Sequence, residues 1–362
     1  MTKTINIAMI GCGRVAGHHT RSIRKVSNVQ LVAVCDLVEE KAEELASSEN
    51  VPAYTNYHHM FTKHPEIDVV GICTPSGMHY EHSLEMIQQY QKHVVIEKPT
   101  VMRISQGVQL SKAAAKHQLK IFPVFQYRFN KSVQFIRKAT QSKEIGDLIL
   151  GTIRLRWCRP QRYYDRAPWR GTYALDGGAL TNQGVHLLDL LRYLAGEVKW
   201  VYADIATLGA NIEVEDTGIV ILEFENGGRG VIEITTAARP DDFESSISIL
   251  GSKGLAMVGG WATNELLTYS PNPDEEEKNS EDFPDVYGFG HQEIYSGVYN
   301  TLVNKENPAV EFEDAMKSIQ LLHAIYRSAE NHERIYIKDG EESKFLGITN
   351  EELANLYRTP KL

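Results

Sequence analysis

Four features of this sequence carry groups fit for chemistry. They are a glycine loop near its start, a lysine between glutamate and proline, a histidine after a run of small residues, and a loop rich in arginine. The first is Gly11-Cys12-Gly13-Arg14-Val15-Ala16, which follows the apolar run 5–10. A G-x-G-x-x-A turn between strand and helix has a physical logic. The first glycine makes the tight turn, the second lets the main chain approach a pyrophosphate, and the small third residue lets helix and strand pack closely. The helix N-terminus then faces the anion. The next apolar run, 30–35, ends in Asp36, an acid placed to accept hydrogen bonds from adenosine ribose hydroxyls. Together these features point to a bound dinucleotide. Taken singly, the loop reads equally as a ligand-free turn, and Asp36 as the cap of the helical stretch that follows.

Two more loops end apolar runs. Thr74-Pro75-Ser76-Gly77-Met78-His79 follows 69–73, and Glu97-Lys98-Pro99 follows 94–96. Ligands of open parallel sheets bind at the carboxyl ends of the strands, so both loops should border the dinucleotide. The expected cofactor-contacting residues are Gly11, Gly13, Arg14, Val15, Asp36, Thr74, Pro75, His79, Glu97 and Lys98. A surface ion pair between Lys98 and Glu97 is the plain alternative. Pro99 counts against it, because it restricts Lys98 to extended backbone. Burial beside cationic neighbours lowers a lysine's pKa toward that of a working base. His186, in Asn182-Gln183-Gly184-Val185-His186, titrates near neutrality without such help. Either group can take the proton of a hydroxyl whose carbon gives up a hydride. A buried structural histidine is the alternative for His186.

Between the strand-like run 148–157 and the helix-like run 179–194 stand Arg156, Arg159, Arg162, Arg166 and Arg170, interleaved with Tyr163, Tyr164 and Trp169. Arginine forks match carboxylate and phosphate oxygens. The alternative is a solvated loop whose arginines pair with Asp165 and Asp176. The expected substrate contacts are Arg14, Lys98, Arg159, Tyr163, Arg166, Trp169 and Arg170; that Asn182 and His186 join them, with Lys98 and His186 the catalytic pair, is implied by a family resemblance rather than by spacing.

The elements that must position these groups follow from periodicity. Runs 5–10, 30–35, 68–73, 93–96 and 119–124 alternate with helix-like stretches at 36–47, 78–89 and 104–117. That spacing predicts crossover units and a doubly wound parallel sheet of Rossmann type over residues 1–124. Beyond it, 200–269 reads as strands joined by tight turns at Asn226-Gly227-Gly228 and Gly251-Ser252-Lys253-Gly254, an antiparallel meander. The acidic, proline-containing 270–285 reads as an exposed loop, and helical patterning returns at 291–303 and 314–329. The chain is therefore α/β. Its second domain, 125–362, is α+β, with a large, mostly antiparallel sheet; that this sheet is open and serves substrate binding and oligomerisation is implied by a family resemblance only.

At 362 residues, two domains are the default. A net charge of −9 argues against nucleic acid as a partner, although a local arginine cluster still admits a small anion. The four cysteines form no C-x-x-C pair, so no metal is expected. The start MTKTINIAMIGCG is too soon interrupted for a signal peptide, and no apolar run is long enough to suggest a membrane span. A cytoplasmic setting is the simplest expectation.

The glycine loop, Thr74-Pro75 with His79, and Glu97-Lys98-Pro99, in this order, resemble the Gfo/Idh/MocA oxidoreductases. The resemblance covers nearly the whole chain. It implies an NAD- or NADP-dependent dehydrogenase acting on a CH–OH group of a sugar or cyclitol. It also implies that Lys98 touches substrate and nicotinamide ribose and that His186 moves a proton. Many members carry Asp four residues before the histidine. Asn182 stands there instead, and an amide takes no proton, so Lys98 or His186 must work without that carboxylate. A narrower resemblance is carried by Arg159-Pro160-Gln161-Arg162-Tyr163-Tyr164, Trp169-Arg170-Gly171 and 175–184. It is to the branch of the family that oxidises UDP-N-acetylglucosaminuronate to its 3-keto form in bacterial surface-polysaccharide synthesis. It implies a nucleotide-sugar acid as substrate, 2-oxoglutarate as a reoxidant of NADH, and a homo-oligomer, dimer or tetramer. Two other readings remain. One is a family member acting on an inositol or other free sugar. The other is a non-catalytic dinucleotide-binding sensor, against which the presence of both Lys98 and His186 counts.

Asp36 would repel the 2′-phosphate of NADP, and Leu37 and Val38 offer no arginine to receive it. Catalytic efficiency should therefore be higher with NAD than with NADP, and Asp36→Ser should narrow the difference. A wild-type enzyme at least as efficient with NADP would overturn this reading of Asp36.

Overall fold

The computed structural model describes residues 3–361. The chain divides into two compact units. The first comprises the chain up to Val124, His291–Met316, and the segment from Thr349 on; the second comprises Phe125–Gly290 and Lys317–Ile348.

In the first unit six strands form one sheet. They are β1 (Ile5–Ile10), β2 (Val29–Cys35), β3 (Ala53–Tyr54), β4 (Val69–Ile72), β5 (His93–Ile96) and β6 (Ile121–Pro123). All pairs are parallel, in the order β3-β2-β1-β4-β5-β6. The cause is visible in the residues. β4 is buried at every position and β1 at all but one, as happens when helices cover both faces. Strand order reverses between β1 and β4, which opens a crevice at their carboxyl ends. The helix Ala16–Ile23 buries Ala16, His19, Thr20 and Ile23, one stripe at helical spacing.

The expectation of a contiguous second domain over 125–362 needs correction. The helix Gly290–Tyr299 buries His291, Ile294, Tyr295 and Val298 along one face. Tyr295 reaches His19 and Met9, so the segment completes the first unit's core. Near the end of the chain, Arg358 makes a two-pronged ion pair with Glu81.

The second unit is built on eight strands: β7 (Leu148–Arg156), β8 (Val198–Ala206), β9 (Thr217–Phe224), β10 (Arg229–Thr235), β11 (Glu244–Gly251), β12 (Leu255–Gly259), β13 (Glu265–Tyr269) and β14 (Ile335–Tyr336). Their order is β13-β12-β11-β7-β10-β9-β8-β14. A simple meander is therefore not what forms. β7 inserts between β10 and β11 and runs parallel to β10, the one parallel pair among the described strands of this sheet. Burial alternates along β9 and β10. The helix Val185–Ala195 packs on the inner face, against β7 and β11. The outer face leaves Ile219 and Ile221 about half exposed.

One buried ion pair anchors that helix. Arg128 donates Nε–H and Nη2–H to Asp189 at 2.7 and 2.6 Å, and Ser318 adds a third donor at 2.8 Å. Removing one partner of such a pair strands a charge, at a cost of about 3–5 kcal/mol. Asp189→Ala should therefore lower the unfolding free energy of the second unit, measured by denaturant titration, by that much. A loss below about 1 kcal/mol, the scale of an exposed pair, would contradict the assignment.

Candidate active site

The glycine loop sits where the strand order reverses. Gly11 has φ +91°, and a Cβ there would lie 2.6 Å from the carbonyl carbon and oxygen of Cys73, so the turn admits only glycine. A Cβ on Gly13 would meet no atom within 4 Å, so the main chain there borders open space. Asp36 spends both oxygens on this region. Oδ2 accepts from the Cys12 N–H at 2.8 Å and Oδ1 from the Val38 N–H at 2.9 Å. The helix after it is capped at Val38, so Asp36 is not its cap. Arg14 is exposed and Val15 half-buried at the start of the helix Ala16–Ile23. These residues fit a dinucleotide: a tight turn, unobstructed main chain at a helix start, and an acid at the end of β2.

Two residues assigned to the cofactor have other work. His79 is buried, with Nδ1 2.8 Å from the Pro99 carbonyl and Nε2 2.9 Å from the Thr74 carbonyl. It ties the Thr74-Pro75 loop to the Lys98-Pro99 loop. Burial holds its pKa below the ordinary imidazole value, against the pull of the two carbonyls. Glu97 is likewise buried, and its carboxylate meets His19 and His291. That disposes of the surface ion pair with Lys98. What Lys98 gives Glu97 is its main-chain N–H, at 3.0 Å to Oε2.

His186 belongs to the second unit. The continuous helix expected over 179–194 is broken. Ala179–Gln183 forms a π turn, with the Gly184 N–H bonded to the Ala179 carbonyl five residues back at 2.8 Å, and the α-helix begins at Val185. Such turns are frequent at functional sites. Glu215 shapes this one. It accepts from the Leu180 N–H at 2.9 Å, and both its oxygens lie 2.9 Å from the Tyr326 hydroxyl. Gly178, at φ +71°, is required there, since its Cβ would lie 2.1 Å from a Glu215 oxygen. His186 itself is buried, stacked on Tyr127 with ring centroids 4.5 Å apart. Asn182 hydrogen-bonds Asp176, whose other oxygen accepts from the Gly171 N–H at 2.7 Å.

The arginines part company. Arg156 pairs with Glu233 across the sheet at 2.6 Å, and Arg159 with Asp242 at 2.8 Å. Arg159 was expected to read substrate; its charge is met instead by an acid outside the two that the sequence offered. Arg170 lies 4.4 Å from the ring centroids of both Tyr163 and Trp169 and donates to the Tyr163 hydroxyl at 2.7 Å. Gln183 reaches that hydroxyl at 3.4 Å, so the arginine loop is joined to the π turn. Arg162 and Arg166 are exposed.

Sequence reading passed over His19, His291, Tyr295, Glu215 and Tyr326. For His19 a signal existed, since it shares the buried stripe of the first helix. The others gain meaning only from partners far away in the chain.

Known proteins bear on this arrangement. Residues 5–125 match the model of the oxidoreductase family with an NAD-binding Rossmann fold, and 133–257 match the GFO/IDH/MocA C-terminal domain. The structure resembles that of the WlbA dehydrogenase from Bordetella pertussis in complex with NADH and UDP-GlcNAcA. Identity is 35% over 92% of this chain and 98% of that one, with a TM-score of 0.86. Myo-inositol 2-dehydrogenase of Thermotoga maritima is 24% identical over 92% of this chain and 99% of its own. D-glucoside 3-dehydrogenase of Escherichia coli is 29% identical over 62% and 68%.

The setting of Glu215 has a measurable consequence. A tyrosine hydroxyl has one proton to give, and Tyr326 faces both the Gly177 carbonyl and Glu215. A protonated Glu215 completes the set by donating to Tyr326 while Tyr326 donates to Gly177. Burial drives the same way, pushing its pKa up to about 8 against the lowering effect of the Leu180 and Tyr326 hydrogen bonds. The folded state thus keeps a proton that the unfolded chain gives up near 4.5, so stability falls as pH rises between these values and levels off above. Glu215→Gln lacks this loss. Its melting temperature relative to wild type should therefore climb from pH 5 to pH 8.5, and a pH-independent difference would refute the assignment.

Proposed function

The chain belongs to the Gfo/Idh/MocA oxidoreductases, and on that premise we propose that it oxidises UDP-N-acetylglucosaminuronate to its 3-keto form with NAD. One observation carries the choice of substrate. Similarity to a dehydrogenase seen with NADH and UDP-GlcNAcA stands at 35% over 92% of the chain, against 24% over the same share for an inositol dehydrogenase. The arginine–aromatic loop supports it, because a nucleotide-sugar acid carries both a diphosphate and a carboxylate. With Arg159 committed to Asp242, Arg166 and Arg170 are the anion contacts, and Arg14 is a further one beside the cofactor loop. Tyr163 and Trp169 pack on Arg170 and hold its fork in place.

NAD, bound at the glycine loop, supplies the hydride acceptor. His186 takes the proton of the reacting hydroxyl, its ring orientation set by Tyr127. Lys98 donates to the hydroxyl oxygen as its proton leaves. A 3-keto product is of the kind an aminotransferase converts to an amine, as in the surface-polysaccharide synthesis that the narrower resemblance implies. The half-exposed apolar outer face of the second unit's sheet favours a homo-oligomer.

The test is NADH formation from NAD with UDP-N-acetylglucosaminuronate, with neutral UDP-N-acetylglucosamine and with myo-inositol, each with and without 2-oxoglutarate. The acid should be strongly preferred. Turnover of myo-inositol alone would establish the free-sugar reading that the curated relatives favour. Binding of NADH without turnover of any would establish a sensor. Lys98→Ala and His186→Ala should each lower kcat about 10²–10⁴-fold, far more than they weaken NADH binding, with Lys98→Ala also losing a ribose contact. Wild-type turnover in both would refute the assigned chemistry.

A further inference from the structure

A buried cluster adjoins Lys98 that the mechanism above does not use. Glu97 Oε1 lies 2.8 Å from Nε2 of His19 and 3.4 Å from Nε2 of His291. His19 Nδ1 lies 2.7 Å from the Tyr295 hydroxyl, and the His19 and His291 rings meet edge to face at 4.6 Å. All four side chains are buried. The other carboxylate oxygen, Oε2, accepts the Lys98 main-chain N–H.

Two histidines and a carboxylate this close invite a metal reading, and the spacing decides against it. Ligands of a tetrahedral zinc ion, each about 2.0–2.1 Å from it, stand about 3.3 Å apart. The 2.8 Å between His19 and Glu97 is instead a hydrogen bond. The proton pattern then follows. With Nε2–H of His19 given to the carboxylate, Nδ1 is left to accept from Tyr295. His291 supplies the second imidazole donor. Burial alone would raise the pKa of Glu97, but the two imidazole contacts outweigh it and hold the group well below the usual carboxylate range.

The cluster joins three pieces of chain. His19 is on the helix that follows the glycine loop, Glu97 ends the strand that presents Lys98, and His291 and Tyr295 come from a helix nearly two hundred residues later. We propose that His19, His291 and Tyr295 are positioning residues that hold the Glu97 carboxylate as the fixed acceptor of the Lys98 main-chain N–H, and so set where the Lys98 amine is presented. The inference rests on the assignment of Lys98 to the reaction.

The experiment compares His291→Ala with His291→Gln, whose Nε2 can still donate to Glu97. Turnover is measured with NAD and UDP-N-acetylglucosaminuronate, and NADH affinity separately. A substrate-free reading comes from the NMR signal of ¹³C-methylated Lys98, assigned with Lys98→Arg. His291→Ala should lower kcat about 10–100-fold, the cost of a misplaced reacting group, leave KM and NADH affinity near wild type, and shift the Lys98 signal. His291→Gln should restore most of both. Lys98→Ala/His291→Ala should be no slower than Lys98→Ala, because both changes act through one side chain. Losses that add in the double variant, a Gln variant no better than Ala, or an unmoved Lys98 signal would each overturn the proposal. If His291→Ala does not fold, Tyr295→Phe, which removes only a hydroxyl, must lower kcat and move the Lys98 signal in the same direction; no change in either overturns the proposal. Wild-type turnover in Lys98→Ala would sink the chemical role of Lys98, while the methyl signal would still report on the array.

Discussion

Taking a carboxylate out of water costs several kcal/mol unless donors replace the lost hydration. In this chain that demand falls at three of the segments proposed to do chemistry, while Asp36, half-buried at the glycine loop, meets it in part with the N–H of Cys12 and of Val38. Glu97 is met by two imidazoles and the Lys98 main chain. Asp189, three residues after His186 on the same helix, is met by Arg128 and Ser318. Asp176 is met by Asn182 and the Gly171 N–H. A desolvated acid tolerates few arrangements of its donors, so each one fixes the main chain that supplies them. The functional groups beside these acids inherit their precision from them.

This explains which parts of the molecule could be read from the sequence. The glycine loop, Asp36 and the Lys98 loop are local signals: strand, turn and helix within a few residues, with glycine demanded by one close approach to Cys73. The six parallel strands announce themselves by runs apolar on both faces, apart from β3, whose two residues are too few to carry a pattern. What stayed hidden depends on partners distant in the chain. Glu97 and His79 stand in the loops expected to border the cofactor, and their side chains turn inward, to His291 and to two carbonyls. Arg159 finds Asp242, eighty-three residues on. The parallel pairing of β7 with β10 has no local cause either. It is set by the sheet as a whole, in which β10 and β11 flank β7 on opposite sides.

The two buried glutamates behind the proposed catalytic groups are satisfied in opposite ways. Glu97 faces ring N–H groups of two imidazoles, which favour the anion. Glu215 faces one amide and one hydroxyl whose proton is also claimed by the Gly177 carbonyl, which favours the acid. The first arrangement stays fixed through the neutral range, since Glu97 titrates far below it. The second titrates within that range, at about 8. Raising the pH therefore leaves the support of Lys98 intact while placing a negative charge under the π turn that carries Asn182 and leads into His186. Asp176 is already among the groups that raise Glu215, so the new charge arises beside an existing one. Relief comes most directly from moving the turn, because Gly178 and Leu180 are the main chain in contact with Glu215. Ionising Glu215 thus acts on the main chain of the π turn that leads into His186.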